Sequence, residues 1–225
     1  MPRDTLTREQ IIEAAIGLLD EEGLEGLNMR SLGKRLGSAA TAVYWHVQSK
    51  DNLVVLASDE VWTEIELPDL DTVDWHTAAS TMAGDLFAMF TRHPWLVMAF
   101  ASQPLYGPNK ARHDDHSLAV YEKAGFVGAE VDQATAAVFM YVLGNAVGMA
   151  AEVSVNRKLS RHGGNSQTRI EEAMTHATEI AARFPRLRSR TEAFADSDYA
   201  AAPEKSFEFG LQAVLSGLTD RLGSR

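Results

Sequence analysis

The chain has 225 residues, 45% apolar and 23% charged, with a formal net charge of -10, the balance of an ordinary folded protein rather than a disordered tail or a uniformly basic nucleic-acid coat. That length allows one or two domains around a substantial core. There is no cysteine, which excludes disulfides and thiolate metal sites. Neither an apolar leader nor the run of roughly eighteen apolar residues that a membrane span needs is found, so a cytoplasmic protein with no membrane partner is expected.

Taken in order, Thr7 with Gln10 three residues on is a capping-box pattern, and Ile12, Ala15, Ile16 and Leu19 follow at helical spacing until Gly23 ends the helix. Asn28 can cap a second helix carrying Leu32 and Leu36. Gly33 allows a partner helix to come close, and Gly37 makes a turn. A third short helix carries Val43 and Val47, with Ser38 standing in as its cap where Ala39 has no side-chain acceptor. Ser49 then caps a longer helix over 50–66 with Leu53, Leu56, Ala57 and Val61 on one face. Pro68 marks the exit.

The second half reads as more helices. One is predicted over 75–92, closed by His93-Pro94, and a short apolar segment spans 95–102. Another covers 110–124 with Gly125 as its stop. The longest, 130–155, carries Ala134, Val138, Tyr141, Val142, Asn145, Ala146, Met149 and Val153 and has almost no polar face in the middle. Such a helix must be covered on several sides. A mobile loop is expected over 156–168, then a helix over 169–184 stopped by Pro185, and a last helix defined by Phe207, Leu211, Val214, Leu218 and Leu222 with Leu215 on a second edge. No strand pattern is convincing, and the fold class is all-α.

Residues 28–50 stand out by charge. They hold Arg30, Lys34, Arg35 and Lys50 and no Asp or Glu, inside an acidic chain. A solvated charged face is the bland reading of such a run. Here two short amphipathic helices flank a glycine turn, and the second leaves Thr41, Tyr44, Trp45 and His46 on its outer side, donors suited to phosphate oxygens. The reading is a helix-turn-helix that enters the DNA major groove, and its positive field need reach only about 8–10 Å. Arg30 can meet guanine bidentately. Trp45 stays open between a phosphate contact and partial core.

These residues also carry a family resemblance. The string LTREQIIEAAIGLLDEEGLEGLNMRSLGKRLG, then AVYWHVQSKDNL, resembles the N-terminal domain of the TetR family of transcriptional repressors, and Tyr44-Trp45-His46-Val47 followed by Lys50 is similar to the tetracycline repressors. The resemblance implies a DNA-binding head over 1–49, a linking helix over 50–67, and a helical effector-binding and dimerisation domain over 68–225. It implies DNA contacts from Arg30, Ala40, Thr41, Ala42, Tyr44, Trp45, His46 and Lys50. Ala40 and Ala42 cannot donate hydrogen bonds, which points to methyl contacts or shape readout there.

By the same resemblance a small-molecule cavity is expected in the second domain. The soft apolar residues Met82, Phe87, Phe90, Trp95, Met98, Tyr121, Tyr141 and Met149, with the isolated polar groups Gln103, His116 and Asn145, are its candidate lining. The histidine and threonine of the tetracycline–magnesium set are not reproduced over 99–104, which argues against tetracycline itself. His113 and His116 lie three apart on a helix, as metal ligands can, but no further ligand accompanies them and no metal or other cofactor is expected. Gly144 and Gly148, with Leu211, Val214, Leu215 and Leu218 on the last helix, are the candidate homodimer seam.

No GxSxG, HExxH, GxGxxG or GxxxxGK[ST] signature occurs, so an enzyme is not expected. The function read from the sequence is a repressor that binds a pseudo-palindromic operator as a homodimer and is released by a largely apolar effector. The alternatives are a DNA binder without effector control and a small-molecule enzyme with a DNA-binding head.

Overall fold

The structure, a computed structural model, describes residues 6–161, 165–194 and 203–224. Among them every regular element is helical: α1 (Arg8–Gly26), α2 (Met29–Arg35), α3 (Ala40–Val47), α4 (Lys50–Val61) running into a 3-10 turn (Trp62–Glu64), α5 (Trp75–Arg92), α6 (Pro94–Phe100), α7 (Pro108–Ala124), α8 (Ala129–Arg161), α9 (Asn165–Ala181), α10 (Pro185–Phe194) and α11 (Pro203–Gly223). The chain forms two compact units, one comprising the residues up to Ala151 with those from Leu211 onward, the other residues 152–210.

The first three helices follow from their caps and glycines. Thr7 and Gln10 form the reciprocal capping box at the start of α1, and Asn28 accepts from the Ser31 N–H at 2.9 Å to start α2. Gly23 takes φ 72°, a left-handed value open to glycine at little cost, and breaks the helix there as expected, with a short further turn to Gly26 beyond the kink. A Cβ on Gly33 would lie 2.8 Å from the Ser38 carbonyl oxygen and 3.1 Å from the Ala40 nitrogen, so only glycine lets α2 and α3 meet. Gly37 makes the turn with φ 61°. The cap of α3 is Ala39, with no side-chain bond, so Ser38 does not stand in for it. Ile11, Ala15, Leu19, Leu32, Val43, Val47 and Leu53 close the small core with no exposed surface.

From α4 onward the chain continues the same packed unit. α4 lies against both α1 and α7, and α6 against α1. Trp62, Phe90, Trp95, Leu96 and Met89 are fully buried between these helices. Asp74 caps α5 through the His76 and Thr77 N–H groups, and Gly125, at φ 104°, ends α7. α8 continues to Arg161, past the expected end at 155, and α9 begins at Asn165, so most of the loop expected over 156–168 is helical. Pro185 opens α10 rather than merely stopping α9, as a first-turn proline can because its missing N–H has no helical partner to lose. By length and composition α8 could cross a membrane over Ala129–Arg157. Its outward side is apolar: Met140 is 62% and Val147 51% exposed. In the second unit α10 packs on α9, and Met174, Phe184 and Leu187 are exposed there.

Candidate nucleic-acid interface and ligand cavity

Burial of Val43 and Val47 fixes which side of α3 faces out. Thr41 is exposed, Tyr44 is 47% and Trp45 86% exposed, while Ala40, Ala42 and His46 are half-buried along the same helix. That exposure settles Trp45 as a surface side chain and not core. Arg30, at the second position of α2, is exposed as well. No side chain caps the start of α3, so its first-turn N–H groups are left without a side-chain acceptor.

The basic island is narrower in space than in sequence. Arg35 donates through both terminal nitrogens to the two Glu21 carboxylate oxygens, at 2.7 and 2.8 Å, and clamps α2 to α1. Lys50 donates to the Leu24 carbonyl at 2.8 Å and is half-buried, which fastens the start of α4 just past the kink in α1. Among the described residues neither Arg30 nor Lys34 has an ion pair or side-chain hydrogen bond.

Two polar joints connect this head to the helices behind it. In the first, the buried His93 ring donates from Nδ1 to Asp20 and from Nε2 to Glu64, both at 2.8 Å. Trp95 gives its indole N–H to the same Asp20 oxygen at 2.8 Å, and Arg92 Nε donates to Glu64 at 2.8 Å. Burial alone would push the His93 imidazole down, but its hydrogen bonds to the Asp20 and Glu64 carboxylates outweigh it and hold the group above its ordinary value. Glu64 shows the reverse, burial pushing it up and His93 and Arg92 pulling it below the usual carboxylate range. In the second joint the Asp59 carboxylate on α4 accepts from the Asn109 and Lys110 backbone N–H groups, each at 3.0 Å, and so caps α7 from a neighbouring helix. A Cβ on Gly107 would lie 2.3 Å from the Asp59 carboxyl carbon, so this close approach requires glycine.

Behind the second joint lies a cavity of about 260 Å³ between α5, α7 and α8. Ala79, Met82, Ala83 and Leu86 form one wall, Val120, Tyr121 and Leu118 another, and Val138, Phe139 and Met140 a third. Its polar residues are Lys110, His113, Asp114, Ser117, Asp132 and Thr135. Burial raises the Tyr121 phenol above its ordinary value. Asp114 is pushed up by burial, but His113 and Lys110 outweigh that and hold it below the carboxylate range.

Of the candidate lining residues, the structure places Met82 and Tyr121 on this cavity. Phe87, Phe90 and Trp95 are packed into the core, Trp95 at the joint with α1. Met98 is 50% exposed and Gln103 half-buried, away from the cavity. His116 donates to the Pro68 carbonyl at 3.0 Å, Asn145 to the Tyr141 carbonyl at 2.8 Å, and Met149 sulfur lies 3.7 Å from the Thr91 hydroxyl; Tyr141 is likewise outside the wall. Lys110, Asp114 and Phe139 are the residues a sequence search for soft apolar stripes passes over. Their signal was the acid four residues after a lysine just inside a proline-started helix. Among the described residues no group of three or more potential metal ligands occurs.

On the candidate seam, Gly144 and Gly148 are exposed with open space where a Cβ would stand. Val214 and Leu218 are half-buried, but Leu211 and Leu215 are 3% and 0% exposed, their surfaces already taken up within the chain.

Two short helices crossed at a glycine turn, the second with its aromatic side outward, define a helix-turn-helix protein. The family models agree along nearly the whole chain: residues 11–57 match the bacterial regulatory proteins of the tetR family, and residues 67–222 the tetracyclin repressor-like C-terminal domain. The chain therefore belongs to the TetR family of transcriptional regulators. It is 31% identical to the HTH-type transcriptional repressor DrrR1 of Streptomyces coeruleorubidus, over 96% of this chain and 78% of that one. To an HTH-type transcriptional regulator of Saccharopolyspora erythraea it is 33% identical, over 97% and 86%. Among solved structures it is similar to ActR of Streptomyces coelicolor in complex with actinorhodin, with TM-score 0.73, 25% identity and 96% of each chain covered.

Proposed function

We propose that this regulator is a homodimeric repressor acting in the cytoplasm, which binds a pseudo-palindromic operator and is released when a small, largely apolar effector fills the cavity between α5, α7 and α8. The observation that carries the reading is the double attachment of α4. Its first residue, Lys50, is held by α1 of the head, and near its other end Asp59 holds the first turn of α7, which forms a cavity wall. A ligand that fits the cavity better in one placement of α7 than another biases the head through this helix, and only such differential affinity moves the equilibrium.

In this reading α3 lies in the major groove, with Ala40, Thr41 and Ala42 toward the base edges, Arg30 reading a base, and Tyr44, Trp45, His46 and the ammonium of Lys50 toward phosphates. The apolar outer side of α8, with Met140, Gly144, Val147 and Gly148, is covered by the same side of a second copy, joined by Val214 and Leu218 of α11. Two heads then read two half-sites. The complex of ActR with actinorhodin supports the effector half of the reading.

The test begins with a duplex enriched by the protein from a random pool. Compounds that release this duplex are then tried on Ala83→Phe, which fills the cavity from its α5 wall. The variant is expected to bind the duplex as the parent does and to resist release. Release that is equal in both proteins would place the effector elsewhere.

A further inference from the structure

We propose that His93 is a proton-dependent latch on the DNA-binding head: its doubly protonated ring ties α1 to the turn that follows α4, and loss of the proton loosens the head and weakens operator binding. The inference needs the head and no effector. His93 stands between α5 and α6, and its side chain is only 7% exposed. Nδ1 lies 2.8 Å from an Asp20 oxygen and Nε2 2.8 Å from a Glu64 oxygen. An ionised carboxylate only accepts, so both ring nitrogens must donate, and only the imidazolium has two N–H groups. A neutral ring would turn a lone pair on one of the two carboxylates.

The charges around the ring balance only with that proton in place. Asp20 comes from α1 and Glu64 from the 3-10 turn, while Arg92 of α5 donates to the second Glu64 oxygen at 2.8 Å. α6 carries no titratable residue and brings the Trp95 indole, which shares the Asp20 oxygen. Imidazolium and guanidinium thus meet two carboxylates, and without the proton one negative charge is left over in a partly buried joint. Burial works against the charged ring, but the two carboxylates outweigh it and hold the group above its ordinary 6.5.

The place of the joint connects that proton to the head. Beside Asp20 on α1, Glu21 holds Arg35 of α2 at 2.7 and 2.8 Å, and α2 meets α3 at Gly33. Glu64 follows closely on α4, whose first residue, Lys50, is fastened to the Leu24 carbonyl of α1 at 2.8 Å. α4 is therefore tied to α1 twice, at its start through Lys50 and beyond its end through His93. With both ties made, α1 and α4 resist sliding past each other, and α3 is offered to DNA without further ordering. With the second tie lost, binding must take up a proton or order a loosened head, and either lowers the affinity.

The experiment measures binding of the full-length protein to the duplex it enriches from a random pool, at constant ionic strength, from about pH 6 to about pH 9, with circular dichroism followed alongside. Affinity should be level below 6.5 and fall above it by roughly tenfold in all, the worth of one hydrogen bond to a charged group, while the helical signal holds. His93→Gln, which never carries the charge, should bind weakly at the acid end and show no fall. Glu64→Gln keeps the ring but removes one of its carboxylates, so the fall should begin at lower pH, a shift that mere loss of packing does not produce. His46→Gln controls for a histidine at the phosphates and should keep the fall. A level or rising profile in the parent, an equal fall in His93→Gln, a fall that vanishes in His46→Gln, an unmoved fall in Glu64→Gln, or one that tracks unfolding would each overturn the assignment.

Discussion

The head reads its partner from two helices of 7 and 8 residues, whereas the cavity lies between helices of 18, 17 and 33, and the one is a local construction where the other is not. The outward side of α3 follows from two valines four residues apart, because α3 rests on a single small core and whatever does not point at it points at solvent. The cavity draws its wall from residues scattered over 79–140 on three helices, and α5 among them is buried on more than one side. Where a helix is covered several ways, spacing no longer tells which apolar residues close the core and which leave a gap. Phe90 and Met82 are both buried and eight residues apart on α5, yet only Met82 meets the cavity.

Two tryptophans give the largest contrast between regions. Trp62 is 1% exposed and bridges α4 to the cavity side, so Trp62→Ala should cost about 3–5 kcal/mol in denaturant unfolding. Trp45 is 86% exposed, and Trp45→Ala should stay within about 0.5 kcal/mol of the parent while weakening DNA binding. Equal destabilisation by both would erase the distinction between an outward head and a packed core.

The His93 joint, lying between the two regions, comes next. Its imidazole titrates above the ordinary value of 6.5 in the folded chain, so its stabilisation is complete below that value and is lost as pH rises through the folded one. Glu64 is held below its ordinary 4.5, so its share is present above that value and lost as pH falls. Stability should therefore be greatest in the window between, and His93→Gln should lose about 1–3 kcal/mol there and flatten the alkaline limb of a melting-temperature profile. A profile with the same alkaline slope in both proteins would remove His93 from the joint.

Within the head, Arg30→Ala should cost about 1–3 kcal/mol of operator affinity and relax one base position, with no change in unfolding. The smallest effect is expected from Lys34→Ala: weaker binding to every duplex alike and a salt slope lower by about one. Base-specific loss from Lys34 and uniform loss from Arg30 would exchange their roles.

Much of the fold was readable from the sequence because its punctuation is local. Thr7, Asn28, Ser49 and Gly125 cap the helices they were expected to cap, and α5 spans 75–92 as its spacing predicts. Pro185 misled because a proline can stop one helix or open the next, and the packing around it decides. The acid-free island was readable as sequence but not as field, since Glu21, seven residues before it, returns through the turn to neutralise Arg35. The polar end of the cavity was least readable. Lys110 and Asp114 look like any surface pair at helical spacing until α4 and α8 close over them.

The most direct measurement is equilibrium binding of the purified chain to the duplex it enriches from a random pool, beside a shuffled duplex of equal length, with the stoichiometry of the complex. Two copies on a pair of inverted half-sites, with a preference of about 10³ or more over the shuffled duplex at physiological salt, is the expected result. A single copy per duplex, or equal affinity for both duplexes, would contradict it.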